Sequence, residues 1–169
     1  MKTHLATNAD TKEIFVKMAI DAWEIQQAKV TKLLEYFSDE QLLLEVAPGK
    51  NRGIYLIGHL AAVSDGMFTL LSWGERLYPQ LEVPFIKNPD RSSPDMPSAS
   101  EVRECWNKIN TKITSHINKM QSDEWFAKHS SITAEDFISE PHRNKLNILI
   151  NRTNHMSYHL GQLVFLVKK

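Results

Sequence analysis

The stretch that most constrains the fold is residues 141–169, PHRNKLNILINRTNHMSYHLGQLVFLVKK, which reads as one long helix over 142–169. Pro141 suits a first helical turn, and no proline interrupts the residues after it. At about 100° per residue, Leu146, Leu149, Ile150, Thr153, Met156, Leu160, Leu163, Val164 and Val167 form one broad apolar arc. Asn147, Asn151, Asn154, Ser157 and Lys168 fall on the other side. A helix with an arc that wide needs other helices to cover it. His155 and His159 stack one turn apart at the edge of the arc. With 7 histidines in 169 residues, about 0.3 such pairs arise by chance, so the pair alone says little. Met156 stands where a metalloprotease helix would put its glutamate, which excludes that motif.

The chain upstream supplies the covering helices. Asp10 and Glu13 have the spacing of a capping box and predict a helix over 10–37, with Ile14, Met18, Trp23 or Ile25, Val30, Leu33, Leu34 and Phe37 as its stripe. Ser38 and Gln41 repeat the box before a short helical turn, and residues 47–50 form a tight turn. A second helix over 52–72 has Leu56, Leu60, Val63, Met67 and Leu70 as its seam and His59 beside it. Gly58, Ala61, Ala62 and Gly66 keep this helix slim, so a neighbour can come close or a hollow forms beside His59. Residues 73–97 hold five of the seven prolines (Pro79, Pro84, Pro89, Pro94, Pro97). That length argues for a crossover between the second and third helices, with Trp73, Leu77, Tyr78, Leu81 and Phe85 packing it down. Ser98 and Glu101 cap a third helix over 98–120, whose inward face is Val102, Trp106, Ile109, Ile113, Ile117 and Met120. Residues 121–141 read as irregular, with a short turn near Trp125. The expectation is an all-α four-helix bundle, one domain over 1–169.

Composition narrows the function. Twenty basic and twenty acidic residues cancel, leaving no electrostatic footprint for nucleic acid or an anionic membrane. No signal peptide or membrane span is expected, and the single cysteine, Cys105, fits a reducing compartment, so a cytoplasmic location is expected. Cys105 itself reads as a buried, inert thiol.

Side chains facing one another in a helical bundle can meet across its core. His59 from the second helix and His155 with His159 from the fourth can therefore converge on one cation. Three neutral imidazoles suit zinc, and nickel or another late first-row metal remains open. Arg152, one turn before His155, reads either as an anchor for an acidic substrate group or as half of a surface ion pair. Tyr55, Asn151 and Gln162 are candidates to orient the imidazoles. His116 is the candidate for a fourth ligand, which would close the site and make the protein a non-catalytic, metal-stabilised module. Neither Asp65 nor Glu45 stands out as a general base, and no catalytic residue is assigned.

The segments NRGIYLIGHLAAVSDGM around His59 and RTNHMSYHLGQL around His155 and His159 resemble the DinB-like, or YfiT-like, family of metal-dependent enzymes. Its pattern is a histidine on the second helix and His-x-x-x-His on the fourth, followed here by Gly161 and Gln162 as in many members. The resemblance implies an up-down-down-up bundle with a three-histidine metal site at His59, His155 and His159, and a homodimer. It also implies either a transferase that joins a low-molecular-weight thiol to a small electrophile, in detoxification or stress response, or a hydrolase using metal-bound hydroxide.

Overall fold

Helix formation follows the capping chemistry where Ser38 and Ser98 precede a helix. The computed structural model describes residues 8–93 and 95–167, with side chains from residue 11 onward. Among the described residues seven α-helices occur in order: α1 (Asn8–Tyr36), α2 (Asp39–Leu42), α3 (Gly53–Asp65), α4 (Met67–Leu70), α5 (Ala99–Ile117), α6 (Ala134–Ser139) and α7 (Lys145–Leu163). No strand occurs among the described residues, only isolated bridges between Glu45 and Arg52 and between Lys128 and Asn144. The protein is all-α.

Before α2, the Ser38 side chain accepts the Gln41 N–H while the Gln41 side chain accepts the Ser38 N–H, so two orphan donors are satisfied reciprocally. Ser98 and Glu101 do the same for α5. At the N-terminus the expectation moves. The chain is already helical at Asn8, so Asp10 lies inside α1 rather than at its cap, and its side chain is outside the described ones. His4 also lies outside the described residues, as does Pro94.

The inward ridge of α1 is Val16, Trp23, Val30, Leu34 and Phe37, all buried. Ile14, Met18 and Ile25, expected on that stripe, are 54%, 60% and 52% exposed. They are apolar but stand on the other side, because Val16, Trp23 and Val30 already fill the buried side at seven-residue steps. This ridge packs chiefly against α7, while α3 packs against α5 and α7, and all four long helices share one apolar core. Arg103 from α5 reaches the carbonyls of Leu34 and Phe37, and so satisfies the end of α1.

The expected helix over 52–72 is divided at Gly66 into α3 and α4. It ends where Ser72, at φ 61°, takes the left-handed position and Trp73 N–H bonds the Phe68 carbonyl at 2.7 Å. Residues 53–70 are apolar enough by length and composition to cross a membrane, contrary to expectation, but 78% of that stretch is buried against the chain's own core.

Residues 73–97 pack down as expected. Asp65, 1% exposed, accepts the N–H groups of Leu77 (2.8 Å) and Tyr78 (3.1 Å). At the other end Asp90 accepts the Arg52 N–H at 2.8 Å and pairs with its guanidinium at 2.7 Å. Between these ties run a 3-10 turn, Pro79–Leu81, and a π-helical turn, Val83–Lys87, which bury Leu81 and Phe85. Leu77 instead stays 41% exposed. Buried carboxylates make these ties because backbone N–H groups in a non-helical connector otherwise have no acceptor.

The α7 helix starts later than expected. Asn144, whose side chain accepts the Asn147 N–H at 3.0 Å, is its cap, so Pro141 and His142 lie in the preceding turn. Beyond Leu163 the helix tightens to a 3-10 turn, Val164–Leu166. On the expected arc Leu146, Leu149, Thr153, Met156 and Leu163 are buried, but Ile150, Val164 and Val167 are exposed. The 3-10 turn explains the last two, since tightening rotates them off the α-helical arc. Residues 122–126 form the expected short turn around buried Trp125. Helix α6, capped by Thr133 on the Asp136 N–H, was not expected, because it buries no residue and so has no apolar stripe to reveal it.

Candidate metal centre

His59 comes from the middle of α3, and His155 with His159 from α7, two helices that pack on each other. Their side chains meet. His155 Nε2 lies 3.2 Å from His59 Nε2 and 3.0 Å from His159 Nε2. The rings stand nearly perpendicular, with interplanar angles of 77°, 75° and 83°. Each ring is half-buried.

The outer nitrogens fix the tautomers. His59 Nδ1 lies 2.7 Å from the Phe85 carbonyl, which can only accept, so Nδ1 carries the proton and Nε2 offers its lone pair inward. His159 Nδ1 lies 2.7 Å from Gln162 Oε1, an amide oxygen that can only accept, so the same tautomer results. Two lone pairs then face the His155 Nε2. His155 Nε2 is thus 3.0–3.2 Å from both partners, and the three ligand atoms lie within 4.8 Å of one another, close enough to share one cation at about 2.1 Å. The donor set fits a late first-row divalent metal.

The electrostatics favour the same state. Burial, then the neighbouring His159, His59 and Arg152, lowers the His155 pKa to about 4. Burial is also the main cause that lowers His159. Both rings are therefore neutral at pH 7, so a metal displaces no net charge; only the His155 proton has to move from Nε2 to Nδ1.

The connector positions His59 through a group invisible in side-chain patterns. A Cβ at Gly58 would lie 2.2–2.5 Å from three atoms of the Phe85 ring, so only glycine lets that ring rest on α3. The seated ring brings the π-helical turn close enough for the Phe85 carbonyl to accept from His59. The alternatives left open for the slim helix resolve into close approach rather than a hollow. Sequence reading missed the Phe85 carbonyl because every residue has one. The usable signals were Gly58 next to His59 and an aromatic in the connector.

Of the candidates to orient imidazoles, Gln162 contacts one. Tyr55 instead lies parallel to the His59 ring, 6.3 Å away, and donates its hydroxyl to the Asn88 carbonyl at 2.8 Å. Asn151 bonds Asn147 on the exposed side and reaches no histidine. His155 Nδ1 is buried with no hydrogen-bond partner. Arg152 forms no surface ion pair with any described residue; its Nε is buried and unpartnered.

His116 is not in the cluster, and no fourth His, Cys, Asp or Glu joins it among the described residues. It stacks on Trp73 at 5.0 Å and meets the edge of Phe68. His129 is buried, its Nδ1 close to the Ser131 hydroxyl at 2.9 Å. Asp65 holds the connector, and Glu45 is taken by Arg91 and the Gly49 N–H. Cys105 is buried, and burial pushes its thiol pKa up, the opposite of an activated nucleophile.

The chain belongs to the family described as protein of unknown function DUF1572, whose model matches residues 10–169. Comparison with curated proteins found no match.

Proposed function

We propose that this protein is a metal-dependent enzyme of the DinB-like type, an up-down-down-up four-helix bundle that joins a low-molecular-weight thiol to a small electrophile. The observation that carries the reading is the convergence of three Nε2 atoms, two of them locked in the metal-binding tautomer by Phe85 and Gln162. Three neutral ligands leave coordination positions for a small molecule. A divalent cation bound there, zinc or nickel, supplies positive charge that lowers the pKa of a coordinating thiol or water.

What the chain itself does is hold, orient and desolvate. His59 and His159 keep their outer protons on fixed acceptors, so their lone pairs need no reorientation. The parallel Tyr55 ring and the Phe85 turn cover one side of His59. Hydrolysis is the second reading. The thiol transferase is favoured over it because no carboxylate stands out as a general base, and Asp65 and Glu45 are engaged elsewhere. A cation held by the three histidines would lower the pKa of a thiol enough that no such base would be needed.

The test is elemental analysis of untagged protein beside His59→Ala, followed by assay with a chlorodinitrobenzene electrophile. About one metal per chain is expected in the wild type and a small fraction of that in the variant. Electrophile loss is expected only with both metal and added thiol. Turnover in thiol-free buffer would select hydrolysis, and equal metal in both proteins would remove the site.

A further inference from the structure

The chain has six arginines. Five are ion-paired with carboxylates: Arg52 with Asp90, Arg76 with Glu82, Arg91 with Glu45, Arg103 with Asp39, and Arg143 with Glu140. Arg152 is the exception among the described residues. Its Nε is buried and has no acceptor, while the residue as a whole is only half-buried, so the guanidinium has lost water along its flank without gaining an anion. Burial pushes its pKa below the ordinary arginine range, the signature of a desolvated and uncompensated cation.

Its position is as telling as its isolation. Arg152 precedes His155 by three residues on α7, about 4.5 Å along the axis and on nearly the same face. An unpaired guanidinium one turn from three convergent imidazoles is a place where an oxyanion gains more than it would in water, because the cost of stripping the cation is already met.

We propose that Arg152 is the seat of a carboxylate carried by the small molecule that enters the three-histidine site. The substrate class is then a compound with a metal-binding head, such as a thiol, and a carboxylate a few bonds away. A single unpaired guanidinium matches a monoanion, and its planar fork donates to both carboxylate oxygens. The choice of head group rests on the metal-site reading; the seat does not.

Two measurements separate the two ideas. In untagged, cobalt(II)-loaded protein, 3-mercaptopropionate and 2-mercaptoethanol are titrated while thiolate-to-cobalt absorption is followed. The wild type is expected to hold the acid about tenfold or more tighter than the neutral thiol, the scale of one charge-assisted pair. Arg152→Gln brings the ratio to about one, and Arg152→Lys restores part of it. The same ratio in wild type and Arg152→Gln overturns the seat while leaving the metal site standing. In metal-free wild type, sodium propionate is added while the Arg152 Nε–H signal is followed by NMR. Saturable movement, absent with equal sodium chloride and weaker with inorganic phosphate, supports the seat; none overturns it. Failure of the wild type to take up cobalt would sink the metal reading, and the NMR titration would still decide on Arg152. The same titration decides if Arg152→Gln does not fold.

Discussion

Substituting Gly58 by alanine tests whether the connector builds the site or merely covers it. The new Cβ would lie 2.2, 2.3 and 2.5 Å from Phe85 Cε1, Cζ and Cδ1, where ordinary contact is 3.4–4 Å. Phe85 is fully buried, so its ring has no open space to swing into and must retreat by about 1 Å with its turn. Overpacking of this kind costs about 1–3 kcal/mol, and alanine's better helix propensity offsets about 1 kcal/mol of that. The net loss of stability is therefore modest, about 0–2 kcal/mol. The larger effect falls on His59, whose Nδ1–H donates to the Phe85 carbonyl at 2.7 Å. Losing such an outer partner lowers metal affinity about 10–100-fold. The assay is competition for zinc against a chelating dye, beside urea unfolding of the metal-free protein. Gly161→Ala is the control within the histidine motif, because a Cβ there meets nothing within 4 Å. It is expected to keep metal affinity and to match or exceed wild-type stability. Wild-type zinc affinity in Gly58→Ala would refute the reasoning, since the connector would then play no part in setting His59.

Two further outcomes are expected. In the metal-free protein His155 titrates near 4 and His159 below its ordinary value of 6.5, so between those values the unfolded chain binds more protons than the folded one. Stability should therefore fall as pH drops from about 6.5 towards 4 and be insensitive to these groups above about 7, with about 1–2 kcal/mol at stake after discounting for partial exposure. Urea midpoints at several pH values check this, and His155→Gln should flatten the window; an unchanged slope would assign it elsewhere. Asp65→Asn leaves an amide nitrogen facing one of the two N–H donors, Leu77 or Tyr78, at a position 1% exposed. A loss of about 1–3 kcal/mol is expected, read as a lower urea midpoint, and an unchanged midpoint would mean the connector is held by its apolar residues alone.

Local chemistry was legible in the sequence wherever a residue acts on its own neighbourhood. Ser38 with Gln41 and Ser98 with Glu101 declared their helices because a cap is a contact over three residues. The α5 stripe, Val102 to Ile117, declared its face because one side of that helix is apolar and the other is not. The pairing of His155 with His159 comes from helical geometry alone. Apolar character failed as a guide where more was available than the core needs: Ile14, Met18 and Ile25 look like a stripe, yet Val16, Trp23 and Val30 hold the buried side.

The sequence by itself determined that this chain is helical, where α2, α3 and α5 begin, and which three histidines were candidates to meet. Only the tertiary structure decided that they do meet, that a backbone carbonyl from a proline-rich connector holds one of them, and that, among the described residues, Arg152 alone of the arginines lacks an acid. The physical reason is range. Caps and stripes are set within a few residues, whereas His59 and His155 are 96 positions apart and His59 and Phe85 are 26. Such distances close only when the whole core packs.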